Sequence, residues 1–160
     1  MIRLFLLASA TVLIAACAGG PKPVGGTAKA AASAVSAVPK EGLPPQELKP
    51  GQCGLFLWGM SAPRKFVFFK EGTSRTALIL VDGVAISIPM TSAGGDVFGQ
   101  FMTQMKFVSS ASGQTVIATI EPGQPLDGGQ RVESGNLLFR NADAWETVMP
   151  VTGVRACLPG

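Results

Sequence analysis

The chain has 160 residues, 47% of them hydrophobic and 14% charged, with three cysteines and neither histidine nor tyrosine. That length suits one domain with an extension, and the missing histidine removes both the usual neutral-pH acid–base group and the commonest metal ligand. The net charge of +3 arises before residue 51, because from there on eight basic and eight acidic residues balance; the folded part therefore has no basic footprint for a nucleic acid.

Met1-Ile2-Arg3 is a basic start, Leu4 to Val12 an uncharged apolar run, and Ala15 and Ala16 are small residues before Cys17. That is the order of a secretory signal. Residues 4–16 are too few to span a hydrocarbon core, which takes about 20 apolar residues in a helix. Ile14-Ala15-Ala16-Cys17 resembles the lipobox of bacterial lipoproteins. The resemblance implies that residues 1–16 are a signal peptide removed before Cys17. It also implies that the Cys17 thiol carries a diacylglycerol and that the new amino group receives an acyl chain of the palmitate class. Lipoproteins kept in the inner membrane of enteric-type bacteria carry Asp after the cysteine; Ala18 stands there instead. The expected location is the outer membrane, with the domain held in the periplasm by its lipid.

Residues 17–50 consist mainly of Ala, Gly, Pro, Ser and Lys, with Pro21, Pro23, Pro39, Pro44, Pro45 and Pro50 interrupting regular structure. They are expected to form a tether with a mean reach on the order of 30 Å. From residue 51 to 160 the texture is that of a β-domain. Leu55-Phe56-Leu57-Trp58 and Phe66-Val67-Phe68-Phe69 are strands apolar on both faces, which predicts cover on both sides or one face offered to a partner.

Thr76 to Val81 and Val84 to Ile88 flank Asp82-Gly83, the residue pair favoured by a two-residue type I′ hairpin. That turn places Val81 opposite Val84, Ile79 opposite Ile86 and Ala77 opposite Ile88. Thr91 to Gly99 reads as a loop, with Ser92 and Asp96 as candidate partner-binding residues. Gln104 to Ser109 and Gln114 to Glu121 alternate as strands, the second with Val116, Ala118 and Ile120 on one face. Pro122 to Gly129 reads as a second loop. Arg131 to Arg140 reads as a hairpin around Gly135-Asn136, and Trp145 to Met149 as a strand ended by Pro150. Val151 to Cys157 reads as the last strand. Several short strands at near-regular spacing, without an amphipathic helix after residue 50, predict an all-β fold. It should be a small antiparallel barrel or sandwich of about seven or eight strands.

With Cys17 lipidated, Cys53 and Cys157 remain as an even pair in an oxidising compartment, and a disulfide between them is expected; two free thiols are the alternative. No metal site and no cofactor are expected, since two cysteines without histidine make no zinc ligand set. The chain lacks the Gly-x-Ser-x-Gly elbow, Ser-x-x-Lys and the phosphate-binding Gly-x-x-x-x-Gly-Lys, which argues against an enzyme. Phe56, Trp58, Phe66, Phe68 and Trp145 would line either a binding face or the core.

A tethered all-β domain with one disulfide is similar to the membrane-bound inhibitors of c-type lysozyme, which are lipoprotein β-barrels with a serine-bearing loop in a motif ending in tyrosine. Ser92-Ala93-Gly94-Gly95 occupies the corresponding kind of stretch, without the tyrosine. The expected function is a non-enzymatic binding or structural domain for an envelope protein or glycan. Inhibition of an exogenous hydrolase such as lysozyme is the alternative.

Overall fold

The structure is a computed structural model and describes residues 42–160. Its elements are β1 (Cys53–Gly59), β2 (Phe66–Glu71), β3 (Thr76–Val81), β4 (Val84–Phe98), β5 (Phe101–Val108), β6 (Thr115–Leu126), β7 (Gly129–Arg140) and β8 (Glu146–Cys157). Each strand pairs antiparallel with the next, and β8 returns to pair with β1, so the sheet closes into an up-and-down barrel. Cys53 and Cys157 face each other across that closing seam and are bonded, with Cα atoms 4.0 Å apart.

Eight strands leave an interior just wide enough for side chains to fill. Leu55, Leu57, Phe68, Ile79, Ile88, Met105, Phe107, Val116, Ala118, Ile120, Leu137 and Val151 fill it, each at most 1% exposed. Phe68 and Phe107 meet edge to face with ring centres 5.6 Å apart. The Asp82-Gly83 turn has φ values of 49° and 79°. Its hairpin pairs Val81 with Val84, Ile79 with Ile86 and Ala77 with Ile88, as the turn chemistry predicts.

Four stretches differ from the sequence reading, each for a local reason. Thr91–Gly99 is not a loop: residues to Phe98 continue β4, which stays paired to β5 through two irregularities. Gly95 absorbs one of them at φ 78°, and the Asp96 amide donates to Thr103 Oγ1 at 2.8 Å. Pro122–Gly129 is not a loop either, because β6 runs to Leu126 and β7 starts at Gly129. Pairing of β6 with β5 stops at Thr119, so Pro122 and Pro125 lie where one side of β6 needs no donor.

Arg131–Arg140 is one strand and not a hairpin. Gly135 sits at a bulge opposite β8, where a Cβ would overlap the Thr119 carbonyl region (2.6 Å). Pro150 does not end a strand, and β8 continues through it. Its carbonyl accepts the Met60 amide just past the end of β1, so its missing N–H would have met no strand residue there. Trp145, expected within a strand, is the last residue of the turn before β8.

Residues 42–50, placed by sequence in the tether, lie on the barrel. Leu43 is 2% exposed and its amide donates to the Phe66 carbonyl at 2.8 Å. The strap then runs along the outside of β1, with Leu48 close to Gly54, before the turn into Cys53. The remaining boundaries, at 16 and in the tether up to residue 41, fall outside the described residues, as does Cys17.

Candidate functional site

Strand directions place the turns in two groups. The upper end holds the 60–65, Asp82-Gly83, 109–114 and 141–145 connections; the lower end holds the disulfide, the 72–75 turn, Gly99-Gln100 and Asp127-Gly128. At the upper end the interior opens into a mouth of about 210 Å³. Val81, Phe139 and Met149 form its apolar floor, and Asp82, Gln114, Asn141 and Thr147 its polar wall. Phe139 and Met149 point inward because their cross-strand partners, Val116 and Leu137, are fully buried core residues.

Trp145 stands at this mouth and is 74% exposed. Its backbone is held firmly. The Trp145 amide donates to Asn141 Oδ1 at 2.8 Å, the Asn141 amide donates to the Trp145 carbonyl at 3.1 Å, and Ala144 takes a positive φ of 62° to close the turn. Arg140 and Glu146 pair beside it, Nε to Oε1 at 2.7 Å. The hydrogen-bonded turn thus leaves the Trp145 indole largely exposed beside an apolar floor edged with amide, carboxylate and hydroxyl groups. Met60, Val84 and Val148 are further exposed apolar side chains toward the same end.

The other aromatic candidates divide. Phe68 is in the core. Phe56, Trp58 and Phe66 share the outer face with Phe69, and their ring centres lie 5.0–6.4 Å apart. A bulge at Val67 makes this possible: Leu57 pairs with Phe68 and Trp58 with Phe66, so Phe66 and Phe69 face the same way although three residues apart. The cluster is half-buried, and Gly42 lies against Phe66 as Leu48 does against the Gly54 end.

Ser92 and Asp96 are both exposed, but on a paired strand. Ser92 is opposite Lys106 and lines a shallow outer groove of about 190 Å³ with Gln104 and Ile117. Asp96 lies four residues further down, near the lower end, and does not line that groove. Asp96 and Asp127 sit toward the lower end and Glu146 at the upper end, so these carboxylates do not converge. Among the described residues no group of three or more His, Cys, Asp or Glu is placed to hold a metal ion.

The mouth around Trp145 was not legible as a site. Gln114, Asn141 and Asp82 lie in turns far apart in sequence, and only barrel closure assembles them. Trp145, one of the aromatic candidates in the sequence, was the available signal. Comparison of the chain with family models, with curated proteins and with solved structures returned no match.

Proposed function

We propose that the protein is a cell-envelope lipoprotein, anchored through Cys17 in the outer membrane, whose barrel is a non-enzymatic binding domain for an envelope partner. The partner that fits best is a glycan. The observation that carries this reading is Trp145, 74% exposed on a turn locked by Asn141 at the upper mouth of the barrel. An indole face takes the apolar face of a sugar ring, while Asp82, Gln114 and Asn141 offer groups for its hydroxyls.

Fractionation and native pull-down test the two halves separately. Cys17→Ala should move the protein from membrane to soluble fraction with its thermal midpoint unchanged, because stable anchoring takes at least two acyl chains. Trp145→Ala should weaken capture of envelope glycan fragments at least tenfold without changing anchoring. Retention of glycan by that variant would refute the mouth as the site, and capture of only an envelope protein would replace the glycan by a protein partner.

A second reading is inhibition of an exogenous hydrolase such as lysozyme. It draws on the exposed Ser92 beside Lys106 on the outer wall. It requires that purified protein lower lysozyme activity and that Ser92→Arg relieve the effect.

A further inference from the structure

Two cations point into the lower end of the barrel. Lys70 and Arg155 both stand opposite Leu55, on its neighbours β2 and β8. Residues directly opposite in an antiparallel pair share a face, here the interior. Lys70 is 3% exposed, and lysine is almost never that buried without a counter-ion. Yet among the described residues neither cation has a carboxylate at ion-pair distance.

Lys70 Nζ donates to the carbonyls of Glu71, Gly72 and Ser74 at 3.1, 3.3 and 2.7 Å, and lies 5.3 Å from the Phe101 ring centre. Arg155 lies 5.5 Å from the Phe98 ring centre, with its Nε buried and unpartnered. Carbonyls and rings occupy donors but bring no negative charge. The lower end therefore holds two inward cations that no carboxylate contacts directly, Glu71 acting on Lys70 only from beyond ion-pair distance.

Lys70 also lines a cavity of about 270 Å³ between the 72–75 turn and the start of β5. Met90, Met102 and Met105 form an apolar wall. Arg75 and Gln100 are exposed at the rim, and their side chains make no hydrogen bond to the described residues. The cavity forms because β2 and β3 pair at only two positions and part below Phe69 and Leu78.

We propose that this cavity binds a small amphipathic carboxylate, such as a medium-chain fatty acid. The head would take hydrogen bonds from Arg75 and Gln100 in the field of Lys70, and the tail would lie against the three methionines. Methionine walls adapt to flexible apolar chains, and charge-assisted bonds to a carboxylate are the strong ones. The volume is just under the roughly 300 Å³ at which small-molecule sites begin, which selects one such chain over a whole lipid. Lys70 and Arg75 in the lining disfavour metal cations and amines through like-charge repulsion. This site is independent of the Cys17 anchor and of the Trp145 mouth.

The test uses the full chain bearing Cys17→Ser, handled without detergent so that no other amphiphile competes. Octanoate, 1-octanol and octylammonium are titrated while the methyl signals of ¹³C-labelled methionine are followed by NMR. Octanoate should shift the Met90, Met102 and Met105 signals saturably, and octanol should bind about tenfold or more weakly, the scale of one hydrogen bond to a charged group. Lys70→Met should remove the preference for octanoate. Arg75→Gln, an exposed change that leaves the core intact, should reduce it severalfold while octanol binding stays the same. Equal affinity for octanoate and octanol, preference for octylammonium, or no shift of the three signals would each overturn the proposal.

Discussion

Lys70 shows how one side chain couples the fold to pH. Burial pushes its ammonium below the ordinary lysine value of 10.5, and neighbouring Glu71 offsets part of that. The folded state therefore binds fewer protons than the unfolded state between the lowered value and 10.5, and stability rises with pH through that window. A thermal midpoint that climbs with pH on the alkaline side, with the climb absent in Lys70→Met, is the expected result. Glu71 acts at the other end of the scale. The Thr73 amide, bonded at 3.1 Å, holds its carboxylate below the usual range. Its small contribution is present above the ordinary carboxylate pKa and is lost as pH falls through the lowered value. Gly153 is a purely steric case. It faces Leu57 across the closing seam, and a Cβ there would overlap the Phe56 carbonyl oxygen and press on Leu57. Gly153→Ala should lower stability by about 1–3 kcal/mol in denaturant titration, the usual range for overpacking.

At the scale of elements, the hairpin β3–β4 was the most legible part of the chain. Asp82-Gly83 sets positive φ at both central residues, and a turn of two residues leaves one register. Gly83→Ala meets no side chain or backbone atom within 4 Å, so its whole effect is the strain of φ 79° on a residue with a Cβ. It should cost about 1–2 kcal/mol in thermal or chemical denaturation, and an unchanged midpoint would show that the turn relaxes. Turn chemistry misled elsewhere for one reason. Gly94-Gly95, Gly135-Asn136 and Pro150 carry the same local signals as turns, but each sits at a bulge or an unpaired edge inside a long strand. A glycine or proline shows that the ladder is locally broken; whether the chain then reverses depends on the strand beside it. The same effect hid Lys70. Period-two reading from Phe66 would send Phe68 and Lys70 to its own face, whereas the bulge at Val67 turns them inward and leaves Phe66 with Phe69 outside.

For the molecule as a whole, the Cys53–Cys157 bond joins the first strand to the last over a separation of 104 residues. In the chain-entropy model a loop of that length contributes about 4–5 kcal/mol, a large part of a typical total of about 5–15 kcal/mol. Reduction should lower the thermal midpoint substantially, and alkylation with peptide mapping of the protein purified without reductant should find the two cysteines joined. Two alkylated thiols would remove that contribution.

Alternation and turn pairs were enough to determine an antiparallel all-β fold and the β3–β4 register, and two cysteines at the domain's ends led to the expectation that the ends are joined. These are local or pairwise properties, written within a few residues or in the count of one residue type. Barrel against sandwich, the inward turn of Lys70 and Arg155, the strap of residues 42–50 and the Trp145 mouth were decided by tertiary structure. Each depends on how bulges rotate a strand and on which strands become neighbours when the sheet closes, and closure is set by all eight strands together.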